Sequence, residues 1–393
     1  MAGTIRERSP GHYELRAYNP ATKRQVTRTF TASRNEKGSG IREARRELAR
    51  LVTEVADGKF GGEKATLGYL LDEWLEHGES RGRSPATLHG YRSKIARIKA
   101  HPIAAKQVAK LTARDLDAFY GEMLAGGMSS ATVQHYHRIL RAALGQAERW
   151  EWITRNPART VTPVTAARPA MHVPTVGQAR ALVLRATGTS SPDLGPILLF
   201  GMLTGMRRGE VCGVQWSDVD WPGRRITVRR SIWQVRSTWG VKDPKTHQVR
   251  TIALDDAAVA LLAARRARAE EDAELACAGA LPVDAYVWSA QVDGSAPRTP
   301  NSLTRAFHRL CRTMEAEGAA ADPPRVESWP FRFHDLRHLS ATEMVGQGMD
   351  PRTVASRLGH ADPSVTLRVY AHALEERDRD AAEGLGRALA LPG

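Results

Sequence analysis

The chain has 393 residues, a formal net charge of +14 and 42% hydrophobic residues, enough for two or three globular domains. Its basic excess favours a polyanionic partner, nucleic acid before anionic membrane. The longest apolar run, residues 194–206, is too short to span a bilayer, the N-terminal stretch lacks the apolar core of a secretory signal, and no GxxxxGK[ST] loop for ATP is present.

The cysteine content indicates a reducing compartment. Cys212, Cys277 and Cys311 are odd in number and widely separated, which suits reduced thiols and neither a disulfide framework nor a zinc site. We therefore expect a cytoplasmic, nucleoid-associated protein that uses no metal and no other cofactor.

The first predicted unit, residues 1–60, combines a small sheet with one helix. Alternating patterns predict strands over 4–8, 12–18 and 24–31, and an apolar stripe predicts a helix over 41–56. The unit carries 13 Lys and Arg against 7 Asp and Glu, so +6 of the +14 lies here. Such a basic sheet could enter a DNA groove, or it could be the solvated face of an accessory domain.

The second predicted unit, residues 66–155, is helical throughout. Helix starts are predicted at Ser84-Pro85 and at Thr112. His135 and His137 lie two apart on the last helix, so they diverge and are poor metal ligands. Basic side chains on these helices could grip a duplex backbone, but a plain bundle explains the pattern equally well. The predicted helices span 66–79, 85–99, 112–125 and 129–150.

A linker is predicted over residues 156–174, which are rich in Pro, Thr and Ala and lack periodicity. The third unit, residues 175–393, mixes helices with short strands. Strands are predicted over 225–235 and 249–254 with a hairpin connection between them, and the chain is predicted to be helical from Phe333 to the end. The expected fold class is a multidomain, mainly α chain with small β-sheets.

Two cations of the third unit stand at unusual places. The apolar helix from Leu194 is predicted to end in Arg207, and a guanidinium there needs an anion or a buried carboxylate. Glu210 could be its structural partner, or could orient it to grip a phosphate. Lys245 falls at the predicted hairpin tip, where most lysines are merely solvated. A mobile tip could also bring a lysine to a leaving oxygen, and Lys242 competes for that role.

The C-terminal stretch holds the remaining candidates. His334 and Arg337 share a helical face, and alone they would be interpreted as a capped or core pair. His360 follows Leu-Gly and is uninformative by itself. Tyr370 would by default be a core aromatic, although the third unit has only one other tyrosine, Tyr286, which lies in an apolar strand.

Taken together, these residues suit phosphoryl transfer without a metal. Two arginines and a histidine can neutralise the equatorial oxygens of a pentavalent phosphate. A tyrosine hydroxyl can attack in line, and a lysine can protonate the departing sugar oxygen. The chain order Arg–Lys–His–x–x–Arg–His–Tyr is far more specific than any single member.

This order resembles the tyrosine recombinases, specifically the phage-type integrases. The matching stretches are TGMRRGE at 204–210, PKTHQVR at 244–250, HDLRH at 334–338, LGH at 358–360, and Tyr370. The resemblance implies an arm-type DNA-binding domain, a helical core-binding domain and a mixed α/β catalytic domain, over residues 1–60, 66–155 and 175–393.

The resemblance also implies roles, residue by residue. Tyr370 would attack DNA to form a 3′-phosphotyrosyl bond, and Lys245 would be the general acid. Arg207 and Arg337 would activate the phosphate. The full set implied is Arg207, Lys245, His334, Arg337, His360 and Tyr370, with Glu210 supporting Arg207.

The implied partners are double-stranded DNA attachment sites of a phage or other mobile element. The implied assembly is a homotetramer on DNA, with an excisionase or host DNA-bending protein as accessory partner and no membrane. Three rival functions differ from site-specific recombination: a DNA-binding protein that no longer reacts, a type IB topoisomerase, and a metal-dependent carboxylate transposase.

Overall fold

The structure is a computed structural model, and it describes residues 3–19, 24–32, 39–56, 65–162, 172–189, 191–243, 249–321, 328–359 and 389. The chain divides into two compact units, residues 1–168 and 169–393. Along the described part of the chain, no helix is long and apolar enough to cross a membrane.

Unit 1 begins with a three-stranded antiparallel sheet that packs on one helix. The elements are β1 (Gly3–Ser9), β2 (His12–Asn19), β3 (Arg24–Thr31) and α1 (Ser39–Ala56), with β2 in the middle of the sheet. Tyr13, Leu15 and Ala17 alternate along β2 and are buried in one core with Leu51 of α1. The predicted sheet and helix are confirmed nearly at their predicted bounds.

Four helices follow in unit 1: α2 (Leu67–Ser80), α3 (Pro85–Lys99), α4 (Ala113–Ala125) and α5 (Ser130–Arg149). Each begins where a hydroxyl side chain accepts a hydrogen bond from the first helical turn, and these caps are Thr66, Ser84, Thr112 and Ser129. Asp115 completes a capping box with Thr112. The helix starts predicted from Ser84-Pro85 and Thr112 are confirmed, because capping is a local property of the sequence.

The helical bundle extends past residue 155, into the stretch predicted as linker. A short 3-10 helix spans Pro157–Arg159, and Ala158 and Val161 are buried in the bundle core. The amide of Asn156 holds this segment, donating to the Arg141 carbonyl at 2.9 Å and accepting from the Ala158 backbone N–H at 2.9 Å. The ordered bundle therefore runs at least to Val161, and residues 163–171 lie outside the described part.

Unit 2 mixes helices with two small sheets. Its elements are α6 (Val176–Thr187), α7 (Leu194–Thr204), α8 (Arg208–Cys212), β4 (Val219–Asp220), β5 (Arg225–Val228), β6 (Ser231–Val235), β7 (Thr238–Lys242), β8 (Arg250–Ala253), α9 (Asp256–Leu275), α10 (Pro300–Ala320), α11 (Phe333–Gly346) and α12 (Pro351–Leu358). The largest buried side chains of its core are Trp288, Phe200 and Phe307.

The single strand predicted over 225–235 is wrong. It is two strands in two sheets: β5 pairs with β4 and β8, whereas β6 pairs with β7. The break lies at Arg229 and Arg230, because both guanidinium groups turn to the buried carboxylate of Asp218. The hairpin connection was predicted over residues 239–246, and its first half, from Trp239 to Lys242, is part of strand β7.

The stretch predicted to be helical from Phe333 contains two helices in the described residues, with a break between them. Helix α11 ends at Gly346, and Gly348 adopts a left-handed conformation with φ +89°. Asp350 then caps a new helix, α12, by accepting from two backbone N–H groups at 3.0 Å. Helix α12 ends at Gly359, which also has a left-handed φ of +70°.

Candidate active site

The turn between α7 and α8 presents the first candidate. Helix α7 ends at Thr204, and Gly205 leaves it in the left-handed region with φ +63°. Arg207 therefore does not end the apolar helix, as the sequence predicted, but precedes α8 as its cap residue. This position frees the guanidinium from the core of α7, and its side chain is 22% exposed.

Arg207 is held by the nearby Glu210 carboxylate and by a backbone carbonyl that is distant in sequence. Its Nη1 donates to Glu210 Oε1 at 2.9 Å, and its backbone N–H donates to Glu210 Oε2 at 2.9 Å. Its Nη2 donates to the backbone carbonyl of Gly359 at 2.6 Å. The structural pairing of Arg207 with Glu210 is thus present, and it orients the guanidinium at the end of α12.

Glu210 is buried, and a second arginine satisfies it. Its relative exposure is 1%. Arg250 of β8 donates from Nη2 to Oε2 at 2.7 Å and from Nη1 to Oε1 at 3.2 Å. Burial opposes ionisation of Glu210, but Arg250 and Arg207 outweigh it and hold the pKa of this carboxyl below its usual value. We refer to Arg207, Glu210 and Arg250 as the buried triad.

Helix α11 brings Arg337 to the same turn. Arg337 is 3% exposed, and its Nη1 donates to the Gly205 carbonyl at 2.7 Å. The Ser340 hydroxyl fastens the same helix to α7 by donating to the Met202 carbonyl at 2.6 Å. Both predicted arginines therefore converge on the residues where α7 ends.

His334 lies one helical turn before Arg337 and remains exposed. Loss of hydration, followed by repulsion from His338 and Arg337, lowers the pKa of His334 to about 4, and Arg207 contributes in the same sense. The ring of His338 lies 4.9 Å from that of His334 in an edge-to-face arrangement. At neutral pH, His334 is an uncharged imidazole that can donate from one nitrogen and accept at the other.

Helix α12 ends against this cluster. Arg357 donates to the carbonyls of Leu203 at 3.0 Å and Ala253 at 3.1 Å, so the last turn of α12 is fixed to both α7 and β8. Gly359 follows and accepts from Arg207. Gly359 is the last described residue before His360, and its carbonyl lies at the buried triad.

Four of the predicted site residues lie in the described part of the chain: Arg207, Glu210, His334 and Arg337. Lys245, His360 and Tyr370 lie outside the described residues. Lys242 is the last residue of β7, opposite Ser231 of β6, so its competition with Lys245 stays open. Tyr286 is 9% exposed and sits in a β-bridge with Gln215, which fits its interpretation as a structural tyrosine.

The described cluster is a concentrated cationic site at the junction of α7, α8, α11 and α12. Two guanidinium groups and a neutral imidazole can bind the oxygens of a phosphate group by charge-assisted hydrogen bonds. Arg250, which completes the cluster, was missed as a functional residue. The one available signal was its place at the end of the matched stretch 244–250, since its partner Glu210 is distant in sequence.

Residues 184–377 match the phage integrase family. The chain belongs to this family of tyrosine recombinases. A tyrosine recombinase XerC-like protein of Caldanaerobacter subterraneus subsp. tengcongensis is 23% identical over 91% of this chain and 94% of its own length. The integrase of Staphylococcus phage L54a is 22% identical over 86% of this chain and 98% of its own length.

Solved structures share the fold of this recombinase. The Tn1549 transposon integrase in complex with a circular intermediate DNA superposes with a TM-score of 0.69 at 20% identity, over 81% of this chain and 99% of that chain. The lambda integrase tetramer bound to a Holliday junction superposes with a TM-score of 0.54 at 19% identity, over 93% of this chain and 96% of that chain. The expected fold class is therefore confirmed, and unit 2 contains the tyrosine recombinase catalytic domain.

The N-terminal sheet of the recombinase carries a second Arg–Glu–Arg arrangement. On β2, Glu14 accepts from Arg8 Nε at 2.8 Å and from Arg16 Nε at 2.5 Å. The guanidinium groups lie outward, with side chains 51% and 34% exposed. Hydrogen bonds from Arg8 and Arg16 hold the pKa of Glu14 below its usual value. We refer to these three residues as the surface triad.

The helical bundle has a basic cleft between α3 and α5. Lys94, His135 and Arg138 are among its lining residues, and its volume is about 260 Å³. His137 points elsewhere, because it is 8% exposed and its Nδ1 pairs with the Tyr120 hydroxyl at 3.2 Å. His135 and His137 thus diverge as the helical spacing predicts, and Lys94, His135 and Arg138 leave a basic cleft on the bundle.

Proposed function

We propose that this recombinase integrates and excises a phage or other mobile element by cutting and rejoining DNA attachment sites through Tyr370. The observation that carries the proposal is the convergence of Arg207 and Arg337 beside His334, at the end of the helix that leads to His360 and Tyr370. The relatives named above as an integrase and a transposon integrase support the mobile-element assignment.

The proposed first step exchanges one phosphoester for another. The Tyr370 hydroxyl gives its proton to water as it attacks the scissile phosphorus. A bond forms between its oxygen and phosphorus, and the bond to the 5′ oxygen breaks. Lys245, or Lys242 in its place, gives a proton to the departing 5′ oxygen, which leaves as a hydroxyl. The DNA then carries a 3′-phosphotyrosyl link.

The second step reverses the first with a new partner. A 5′-hydroxyl from the other duplex attacks the phosphotyrosine, and Tyr370 leaves. One phosphoester replaces another in both steps, so the phosphodiester energy is retained in the protein–DNA bond and no nucleotide cofactor is required.

The cations act while charge accumulates on the phosphate. Arg207 and Arg337 would neutralise the non-bridging oxygens, and His360 would complete the set. His334, with a pKa near 4, would act as an uncharged hydrogen-bonding group at neutral pH. Glu210 would keep Arg207 in place, since the carboxylate and Arg250 are both desolvated.

Each of the three proposed domains would bind DNA. Residues 1–60 form the arm-type domain, whose outward arginines on a three-stranded sheet suit groove binding. Residues 66–155, with the segment to Val161 packed on them, form the core-binding domain. The linker predicted over residues 156–174 is thereby shortened to the residues after Val161, and residues 175–393 form the catalytic domain.

The proposed assembly is a homotetramer that joins two duplexes through a Holliday intermediate. The lambda integrase tetramer solved on a Holliday junction supports it by similarity of fold. An excisionase or a host DNA-bending protein would set the direction of the reaction, in the cytoplasm at the nucleoid.

The proposal is tested by covalent trapping. Duplexes enriched from a random library by binding to the wild-type protein are nicked near the cleavage point, so that the released strand diffuses away. The wild-type protein should form a covalent adduct in EDTA, and Tyr370→Phe should bind the same DNA without forming it. An adduct formed by Tyr370→Phe would refute the assignment, and a strict need for a divalent metal would indicate a carboxylate transposase.

A second experiment distinguishes site-specific recombination from type IB topoisomerase activity. A type IB topoisomerase relaxes supercoiled plasmids that lack any cognate site. We expect relaxation only of plasmids that carry the enriched sequence, together with strand exchange between two such sites. Efficient relaxation of unrelated plasmids without exchange would favour the topoisomerase.

A further inference from the structure

We propose that Arg250 is a positioning residue that ties the phosphate-gripping Arg207 to the end of α12. The orientation of the guanidinium and the start of the segment that leads to Tyr370 would then be set together. This inference rests on the proposed strand-transfer function and assigns to Arg250 a role in that reaction.

The first half of the tie runs through Glu210. Arg250 binds both carboxylate oxygens with two nitrogens, at 2.7 and 3.2 Å, in the bidentate geometry that fixes a carboxylate in direction as well as in place. Arg207 uses the same carboxylate with its Nη1 and its backbone N–H. A rotation of Glu210 would therefore move Arg207.

The second half of the tie runs to α12. The Nε of Arg250 donates to the Arg357 carbonyl at 3.0 Å, in the last turn of that helix. Its guanidinium lies so close to Gly359 that a Cβ there would be 2.9 Å from Arg250 Nη1. Gly359 in turn presents its carbonyl to Arg207 Nη2 at 2.6 Å. Arg250 therefore contacts, or lies against, both groups that accept hydrogen bonds from the Arg207 side chain.

Arg250 itself is poorly placed to touch DNA. Its side chain is 8% exposed, whereas that of Arg207 is 22% exposed. Its Nε, Nη1 and Nη2 all donate to protein oxygens. Any effect of Arg250 on the reaction would consequently pass through Arg207 and α12, which defines a positioning role and distinguishes it from a phosphate contact.

These contacts of Arg250 should affect the rate of DNA cleavage more than the affinity for DNA. The enzyme must hold Arg207 where charge develops on the phosphate, and a misplacement of about 1 Å can cost about 100-fold in rate. A lysine at position 250 keeps the positive charge beside Glu210 but cannot bind both carboxylate oxygens and the Arg357 carbonyl with one rigid fork.

The test compares Arg250→Lys with Arg265→Lys, a matched loss of another buried arginine. Arg265 has a 9% exposed side chain, faces Asp193 at 3.6 Å, and lines a cavity with Asp272 and Ser289. Each variant is compared with the wild-type protein for melting temperature, affinity for the enriched duplex, and single-turnover rate of adduct formation. The rate is measured on two nicked substrates, one with the ordinary scissile phosphate and one with a neutral methylphosphonate.

We expect Arg250→Lys to bind DNA with wild-type affinity and to cleave the phosphate substrate about 100-fold more slowly. Its defect should largely disappear on the methylphosphonate, since that substrate lacks the charge that Arg207 neutralises. Arg265→Lys should show no difference in defect between the two substrates. A general loss of folding would slow both reactions alike, so the substrate comparison separates positioning from instability.

Two results would overturn the inference: an Arg250→Lys rate equal to wild type, or an equal loss on both substrates. Absence of an adduct with the wild-type protein is a different outcome, because it would refute the proposed function itself and the inference with it.

Discussion

Two of the Arg–Glu–Arg arrangements among the described residues differ mainly in the exposure of their arginines. In the buried triad, the Glu210 side chain has no exposure, and it is bound by Arg207, three residues before it, and by Arg250 of β8. In the surface triad, Glu14 is flanked by Arg8 and Arg16, whose side chains are half and one-third exposed. The same three residue types therefore meet very different dielectric environments.

This difference assigns different tasks to the two triads. A buried carboxylate with two arginines is costly to break, because any removal leaves desolvated charge unpaired. The buried triad is therefore suited to hold Arg207 in a fixed position during the reaction. The Glu14 side chain is only 10% exposed, but Arg8 and Arg16 are exposed, so these ion pairs contribute little to stability, and the arginines can exchange the carboxylate for a DNA phosphate or base at small cost. The surface triad therefore suits recognition.

Glu210→Ala should have the largest effect on stability. It leaves Arg250 and the partly buried Arg207 without their shared partner, and we expect a loss of about 3–5 kcal/mol. Urea unfolding of the full chain measures this loss. Glu14→Ala is the counterpart with exposed arginine partners, and it should unfold close to the wild-type midpoint. Equal midpoints for the two variants would contradict the distinction between the triads.

Gly205→Ala should have the next largest effect on stability. Gly205 has φ +63°, and a Cβ would lie 2.5 Å from Leu358 Cδ2, so strain adds to a clash with α12. We expect the free energy of unfolding to fall by about 1–3 kcal/mol. We also expect slower DNA cleavage, because the Gly205 carbonyl accepts a hydrogen bond from Arg337. Gly279→Ala is the control, since φ is +81° but nothing lies within 4 Å of its Cβ. A smaller loss for Gly205→Ala than for Gly279→Ala would count against a tightly packed turn.

Arg16→Ala should change DNA binding rather than stability. Removing one phosphate contact should weaken binding and reduce the slope of log affinity against log salt by about 1. Fluorescence anisotropy over a salt series measures both quantities. Arg268→Ala, which removes a 55% exposed arginine from α9, is the control. An unchanged slope for Arg16→Ala would exclude this arginine from the DNA interface.

His334 should give the smallest effect, visible as a pH dependence. Its folded pKa of about 4 lies below the ordinary value of 6.5, so the unfolded chain binds the proton more readily. The associated stability is complete above pH 6.5 and is lost as the pH falls toward 4. The melting temperatures of wild type and His334→Asn should therefore become more similar as the pH is lowered from 6.5 toward 4. A constant difference in melting temperature between the two proteins over this pH range would show that the imidazole does not resist protonation.

Local features of this chain were predictable from sequence, and distant pairings were not. The caps at Ser84 and Thr112 depend on side chains within one turn, so composition and spacing reveal them. The candidate partnership of Arg207 with Glu210 spans three residues and is present. The pairing of Glu210 with Arg250 joins α8 to β8 and depends on tertiary packing, which periodicity does not contain.

The wrong strand prediction has the same origin. Residues 225–235 keep a β-branched, alternating pattern, but Arg230 turns to Asp218 and divides the stretch between two sheets. The stretch predicted to be helical from Phe333 breaks after Gly346, where Gly348 has a left-handed φ and Asp350 caps the next helix. The catalytic tyrosine itself was assigned through the order of motifs, and its role remains a proposal.

The most direct measurement is the chemical identity of the protein–DNA link. The covalent adduct formed by wild-type protein on the enriched duplex is digested with protease and nuclease, and the modified peptide is sequenced by mass spectrometry. We predict a nucleotide joined through its 3′ phosphate to Tyr370, with a free 5′-hydroxyl on the other strand end. A link to any other residue, or a 5′-phosphotyrosyl bond, would contradict the account.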